Sequence, residues 1–330
     1  MGRLGNGDGR NGFVGLIYRQ TKPRAWFQNY NAALSAFSEY DYGGDRQVLF
    51  TELYGEVVLK NFWDLSSYFD FQPRSFDHSA TRGGPEMATA ETWNWVVRLA
   101  SKFGAKNSWV GRVYYGEDEL GGETYRLSGE ISIRPSTRLQ FSATPNYLRD
   151  ITPRQYVTTF TGGGPAATYG SRYVFARIDQ STFLIQLRAN YTLGPDLTLE
   201  MYGEPFAASG KYYGFGDLAA ARTFKLAEYS IDTTASHSVI RWARDSVTFK
   251  DATFRGTISN PDFNILSFRS NAVLRWEWRP GSTLYLVWAQ NKFGYQPTAR
   301  LVGFGDLADS FGARGDNFFA VKVSYWIPVN

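Results

Sequence analysis

From Tyr125 to Arg134 the chain reads Tyr-Arg-Leu-Ser-Gly-Glu-Ile-Ser-Ile-Arg, so Tyr125, Leu127, Gly129, Ile131 and Ile133 alternate with Arg126, Ser128, Glu130, Ser132 and Arg134. A period of two is the mark of a β-strand, whose successive side chains point to opposite faces. One face of this strand is apolar and the other polar or charged. The same division recurs upstream, where Trp93, Trp95, Val97 and Leu99 oppose Thr92, Asn94, Arg98 and Lys102. It recurs downstream with Leu139, Phe141, Ala143 and Tyr147 against Gln140, Ser142, Thr144 and Asn146. Phe183, Ile185, Leu187, Ala189 and Tyr191 oppose Gln186, Arg188, Asn190 and Thr192, and Leu266, Phe268, Ala272, Leu274, Trp276 and Trp278 oppose Arg269, Asn271, Arg275, Glu277 and Arg279. The helical spacing i, i+3, i+4, i+7 is hard to find.

The punctuation alternates in length. Short turns fall at Asn61, at Gly104 to Lys106, at Pro135-Ser136, at Gly194-Pro195-Asp196 and at Pro280-Gly281, and long connections rich in Gly, Pro, Asp and Arg fall near residues 74–90, 150–171, 209–263 and 295–316. The turns delimit about thirteen strands, near 11–20, 24–41, 47–60, 62–73, 91–103, 107–117, 122–134, 137–149, 172–193, 196–208, 264–279, 282–294 and 317–327. Long strands, short turns at one end and long loops at the other predict an all-β fold, an antiparallel transmembrane β-barrel of the outer-membrane type. Residues 1–330 read as a single domain. A barrel of a dozen strands encloses more space than side chains fill, so its polar face turns inward to water and its apolar face meets lipid.

Composition excludes much else. Among 330 residues, 17% are aromatic, 33 are Gly and none is Cys, so disorder, disulfide frameworks, thiolate metal sites and cysteine nucleophiles are ruled out. The two histidines, His78 and His237, have no Ser or Asp partner at motif spacing, so a catalytic triad is not argued and no cofactor or metal is expected. Basic residues number 35 against 31 acidic ones without a basic run, and the aromatic residues lie opposite the bases, which argues against nucleic acid. No apolar run is long enough for a helical membrane span. The start, Met1-Gly2-Arg3-Leu4-Gly5, is a glycine-rich turn with no visible leader; with the odd strand count it predicts an incomplete C-terminal part of a larger barrel.

Specific words point the same way: Asn61-Phe62-Trp63-Asp64-Leu65, Ala80-Thr81-Arg82-Gly83-Gly84-Pro85, Gln155-Tyr156-Val157-Thr158-Thr159, Tyr169-Gly170-Ser171-Arg172-Tyr173-Val174-Phe175-Ala176 and Glu204-Pro205-Phe206-Ala207-Ala208-Ser209-Gly210. They precede the longest, Asn271-Ala272-Val273-Leu274-Arg275-Trp276-Glu277-Trp278-Arg279-Pro280-Gly281-Ser282-Thr283-Leu284-Tyr285-Leu286-Val287-Trp288. Over nearly its whole length the chain resembles the C-terminal barrel region of an uncharacterised bacterial family whose members carry an amino-terminal carbohydrate-binding family-9-like domain. The resemblance implies a longer precursor with a signal peptide, a sandwich resembling a sugar-binding module, and a barrel of which this chain supplies the second half. It carries over no catalytic residue.

The candidate functional residues follow from the alternation. Arg98, Lys102, Arg112, Arg126, Glu130, Arg134, Arg188, Glu200, Glu204, Arg269, Arg275 and Glu277 are expected to line the interior, with bases in excess. Such a lining favours anionic or polar solutes, unless the charges simply pair across strands inside a plugged barrel. Trp63, Trp93, Trp109, Tyr147, Trp278 and Trp326 are expected in aromatic girdles at the membrane interfaces. The repeated Gly-Phe-Gly-Asp-Leu-Ala at 214–219 and 303–308 places Asp217 and Asp306 to cap short loop helices. Arg82-Gly83-Gly84-Pro85 and Gly162-Gly163-Gly164-Pro165 read as surface turns, since no Lys-Ser/Thr follows. Glu117-Asp118-Glu119 is the one acidic cluster open to a glycosidase reading, and solvated loop carboxylates are the blander one. The expected role is a pore or membrane platform for a sugar-binding surface module in the bacterial outer membrane, with lipid and an oligo- or polysaccharide as partners. The alternatives are a surface carbohydrate-active hydrolase and a plugged structural or adhesive barrel.

Overall fold

The computed structural model describes residues 9–327 apart from 233, 243–244 and 297–298, so most of the glycine-rich start lies outside the described residues. The strands are β1 (Arg10–Gln20), β2 (Phe27–Tyr40), β3 (Arg46–Leu59), β4 (Asp64–Gln72), β5 (Phe76–Asp77), β6 (Met87–Ala88), β7 (Thr92–Ala100), β8 (Asn107–Asp118), β9 (Glu123–Ser136) and β10 (Leu139–Phe160). They continue with β11 (Arg172–Gly194), β12 (Leu197–Leu218), β13 (Leu226–Glu228), β14 (Ser238–Trp242), β15 (Ser246–Lys250), β16 (Arg255–Ser259), β17 (Phe263–Arg279), β18 (Ser282–Tyr295) and β19 (Gly315–Ser324). One α-helix, α1 (Phe304–Ser310), precedes β19. No described helix is long and apolar enough to cross a membrane.

A 14-stranded sheet dominates, in the order β1-β2-β3-β4-β7-β8-β9-β10-β11-β12-β17-β18-β19, with β13 paired to β12 off that path. Every pairing along the path is antiparallel between neighbours in sequence or across a loop insertion, as short turns dictate. The thirteen strands of the path are those read from the turns. The path does not close: among the described residues β1 pairs only with β2 and β19 only with β18.

The long connections differ from their sequence reading in one respect: they hold more structure. Residues 150–160 continue β10, and 209–218 continue β12, because both pair with β11 through register shifts at Thr152/Gln155, Tyr156/Thr158 and Phe175/Arg177. Those bulges, with Pro153, break the alternation that would have revealed a strand. Residues 74–90 hold the β5–β6 hairpin, 219–262 a separate sheet β14-β15-β16, and 295–316 the helix α1.

Three small cores sit at the long-loop end. Val247 and Phe249 of β15 pack with Val239, Tyr229, Phe215, Val174 and Ala176. Met87 packs with Tyr173, Phe175 and Leu218, and there Gly84 lies so close that a Cβ would meet the Tyr173 ring at 2.2 Å. Val302 and Leu307 lie on Phe183, Ala207 and Leu266. Between the first two cores lies a buried charge cluster. Arg172 Nη1 donates to Asp217 Oδ2 at 2.8 Å, Arg172 Nη2 donates to Asp251, and Tyr229 donates to the same Asp217 oxygen at 2.8 Å. Burial pushes the Asp217 carboxyl up from the ordinary aspartate value against the pull of Tyr229 and Arg172.

The loops also reveal curvature. Arg222, four residues beyond β12, bonds Asp45 beside β3 at 2.5 and 2.6 Å. In a flat sheet those strands would stand seven spacings apart, roughly 34 Å, and four extended residues span at most about 14 Å. The strands themselves must therefore bend toward one another.

Phe249→Ala tests the first core. Phe249 is fully buried against the rings of Phe215 and Tyr229 at 5.4 and 5.1 Å, so its truncation is expected to cost about 3–5 kcal/mol locally. Limited proteolysis of the solubilised protein should then cut within residues 219–262 while the main sheet stays intact, and Phe249→Leu should largely restore resistance.

Candidate functional site

The register sorts the charged residues onto one face. Arg98 stands opposite Arg112, Arg126 opposite Tyr114 and Leu148, Glu130 opposite Val110, and Arg188 opposite Ser142 and Tyr202. Glu200 stands opposite Asn190 and Val273, Glu204 opposite Arg269, Arg275 opposite Tyr285, and Glu277 opposite Thr283. With Arg134, which alternates in step with Glu130 and Ser132 on β9, eleven of the twelve expected interior residues share this polar face. Lys102 does not. It lies in the turn after β7, its ammonium 5.1 Å from the centre of the Phe62 ring, because β7 ends at Ala100.

Neutral donors hold two of the acids on this face, Glu204 and Glu56. Gln186 and Tyr202 donate to Glu204 at 2.9 and 2.7 Å, and Asn31 and Tyr54 donate to Glu56 at 2.8 and 3.1 Å. Arg98 pairs with Asp64, and Arg275 with Glu277 at 2.8 Å. Arg112, Arg126, Arg188 and Arg269 make no ion pair among the described residues; Arg188 instead lies over the Tyr202 ring at 4.8 Å. Toward the short turns the face opens into a cavity of about 790 Å³ lined by Lys106, Arg134, Arg138, Gln140, Asn190 and Thr192. Backbone bonds from Arg134 N to Lys106 O at 3.2 Å and from Thr192 N to Arg138 O at 2.8 Å draw these turns together. Among the described residues no carboxylate pairs with the three bases, so the cavity carries unopposed positive charge.

The opposite face is apolar and open. Leu53, Trp95, Leu127, Ile131 and Leu187 on strands well inside the sheet are all exposed. Its apolar run stops at one level: Phe183 to Leu193 on β11 and Leu197 to Ala207 on β12 are eleven residues each, although those strands are 23 and 22 residues long. Beyond it the register aligns Glu117, Glu123, Ile151, Asp179 and Lys211 in a single row. At and just below that row, Phe69, Trp93, Tyr115 and Tyr125 form a ladder of rings 6.0, 5.4 and 4.8 Å apart. At the short-turn end Trp63 meets Trp109 at 5.1 Å, and Trp276 meets Trp278 at 6.3 Å. Trp326 lies at the same end, its N–H bonded to Ser282 Oγ at 3.1 Å, whereas Tyr147 sits further up β10 against Phe183.

Residues 1–330 match a family model described as a domain of unknown function, DUF5916. The chain belongs to that family. No curated protein matches it.

In this DUF5916 chain the remaining candidates take structural roles or meet unforeseen partners. Asp118 Oδ1 accepts the N–H groups of Leu120 and Gly122 at 2.7 and 2.9 Å, Glu119 is clasped by Arg74, and Glu117 accepts the Tyr115 hydroxyl. The repeated hexapeptide splits: Asp306 accepts the Gly303 N–H at 2.8 Å at the start of α1, but Asp217 ends a strand and holds Arg172. Arg82 and Gly83 occupy a positive-φ turn, as Gly162 and Gly163 do.

His78 is the residue most changed by folding. Its Nε2 lies 3.1 Å from Asp41 Oδ2 and 3.6 Å from Glu86 Oε1, and Arg222 reaches Glu86 Oε2 at 2.8 Å. Nothing in the local sequence marks this cluster, because Asp41 is 37 positions from His78.

The loop clasps are pH-sensitive in a defined direction. The bond from Arg222 holds the Asp45 carboxyl below the usual aspartate range, and Arg74 does the same to Glu119. A depressed carboxyl contributes stability above its unfolded value, about 4, and that contribution is lost as pH falls through the lower folded value. Amide protection over residues 74–90 and 219–225 should therefore hold from pH 7 down to about 4 and fall below it. A loss centred near neutrality would contradict the assignment.

Proposed function

We propose that this chain forms part of the wall of an outer-membrane β-barrel, with the apolar face against lipid and the polar face lining a wet interior. The observation that carries the reading is the length of the apolar face. On the neighbouring strands β11 and β12 it covers eleven residues each, Phe183 and Ala207 at its upper limit being buried beneath the loops, and a tilted strand needs about 9–11 residues to cross a bilayer. A water-exposed sheet has no reason to end its apolar face at one level on neighbouring strands. Rings gathered near both boundaries fit interfacial girdles.

Inside such a wall, Arg112, Arg126, Arg188 and Arg269 and the basic cavity near the short turns would attract anions, since water-filled openings lined by one sign of charge focus the field. The function we infer is passage of polar, preferentially anionic solutes. The loop contacts over the long-loop end support a second reading, in which the same barrel is roofed and serves as a platform for a sugar-binding surface module. The engagement of Glu117, Asp118 and Glu119 in local bonds weighs against a hydrolytic site there. The compartment is the bacterial outer membrane, with its lipid as one partner and an oligo- or polysaccharide as another.

Substitution on the two faces separates the reading from a soluble sheet. Leu187→Arg, midway along the apolar run, should cost about 2–4 kcal/mol of insertion and lower the heat-modifiable fraction in vesicles, whereas Arg188→Leu on the polar face should not. In planar bilayers an open pore should pass chloride in preference to potassium, and Arg134→Gln with Arg138→Gln should reduce that preference. Full solubility of the natural protein without detergent would overturn the membrane reading; a folded, inserted protein without conductance would favour the roofed platform.

A further inference from the structure

We propose that Asp41, His78 and Glu86 form a site for a zinc-class divalent cation that staples the loops at the long-loop end. Each residue offers one ligand atom, and the three atoms lie within 4.8 Å of one another. The two donor separations at His78, 3.1 and 3.6 Å, straddle the edge of about 3.3 Å that tetrahedral zinc with bonds near 2.05 Å requires.

The remaining oxygens are already occupied. Asp45 N–H donates to Asp41 Oδ1 at 2.7 Å, and Arg222 donates to Glu86 Oε2 at 2.8 Å, so Asp41 Oδ2 and Glu86 Oε1 are the oxygens turned to the imidazole. Gln47 also donates to Glu86 Oε1, at 3.2 Å, fixing that carboxylate as metal-binding carboxylates usually are fixed.

Charge makes the stronger case. Asp41, Asp45 and Glu86 bring three carboxylates, and among the described residues Arg222 is the one cation paired with them besides His78. With a neutral imidazole the cluster is two positive charges short, and Asp41 is only 7% exposed. A lone Nε2 cannot resolve this, because one N–H serves one acceptor well, and an unprotonated nitrogen turned toward two carboxylate oxygens is repelled. A divalent cation matches the deficit and converts three competing acceptors into ligands. An imidazole in the set selects the zinc class over calcium or magnesium, which take oxygen ligands. His78 is about half exposed, which leaves room for a solvent ligand. Bound there, the ion would join the β2–β3 turn to the β5–β6 hairpin and, through Arg222, to the loop after β12. The site lies outside the spanning part of the sheet and does not depend on the pore reading.

The test uses the natural full-length protein, free of any histidine tag, stripped with chelator and held in detergent. Titration calorimetry with zinc chloride should show about one equivalent bound, with calcium chloride binding far more weakly. His78→Ala should weaken zinc binding roughly tenfold or more, and His237→Ala should not. Zinc should also slow tryptic cleavage after Arg74 and Arg82 in the natural protein and leave the His78→Ala variant unaffected. His78 lies at the surface, so its variant should keep the natural protein's circular dichroism; Gln47→Ala offers a milder second variant with a smaller loss of affinity. Absence of saturable zinc uptake, equal binding by the natural protein and the His78→Ala variant, or calcium binding as tight as zinc would overturn the proposal.

Discussion

The constraint on which the structure depends is strict alternation held in register across neighbouring strands. A slip of one residue between two strands would carry every apolar side chain of one to the polar face of the other. The register shifts therefore fall where they do little harm. Those at Phe27/Asn29, Glu39/Tyr40, Thr192/Gly194 and Glu277/Arg279 lie at strand ends, and those at Thr152/Gln155, Tyr156/Thr158 and Phe175/Arg177 lie beyond the row of Glu123, Asp179 and Lys211. Between these limits the ladder from Phe183–Ala207 to Tyr191–Leu199 keeps one parity. The bulges also serve the loops, since each adds twist and bends the strand that carries it. The long ends of β10, β11 and β12 can thus leave the direction of the central sheet and lean toward the loops of β2 to β7.

That division of labour explains where the compact packing lies. Among the described residues neither face of the main sheet is covered by a second layer of comparable size, and the exposed Leu, Ile and Trp side chains meet at most their neighbours within the sheet. Buried apolar side chains cluster instead at the long-loop end, around Phe249, Phe175 and Leu266. There the cores are assembled from distant segments: Met87 of the β5–β6 hairpin touches the β11 and β12 core, and Val302 before α1 donates its N–H to Ser181 Oγ at 2.9 Å. The exposed ion pairs at Arg222 and Arg74 add orientation more than energy, since solvent screens them. The buried Arg172 cluster is different: removing one partner would leave charge in a place water cannot reach.

Legibility in the sequence follows the range of the interactions. The strands of the path and the shared face of Arg98, Arg112, Arg188 and Arg275 were readable because alternation and short turns are local. Residues 150–160 were not, because bulges and Pro153 disguise a strand whose pairing is set by β11. The identical hexapeptides at 214–219 and 303–308 make the point most directly. Asp306 has an upstream Gly303 amide to cap, whereas Asp217 has Arg172 and Tyr229 brought in by the fold, so one word becomes a helix start and the other a strand end. His78 with Asp41 and the basic cavity of Lys106, Arg134 and Arg138 likewise exist only once separate turns are brought side by side.

The two edges of the sheet make the same demand as its open face. β1 and β19 are exposed along almost their entire length, and Phe13, Leu16, Phe319 and Val321 carry apolar surface on strands whose outer backbone groups have no partner among the described residues. In water such an edge is a template for uncontrolled pairing, which proteins ordinarily blunt with charge, proline or a covering segment. Charge sits only toward the ends of these edges, Arg10 and Arg19 on β1 and Asp316 and Lys322 on β19, and the stretches Gly12 to Tyr18 and Phe318 to Val321 between them carry none. In hydrocarbon the same groups would each cost several kcal/mol unless a further strand satisfied them. Either medium therefore penalises the unpaired outer groups of β1 and β19, and a neighbouring strand on each edge would remove that penalty.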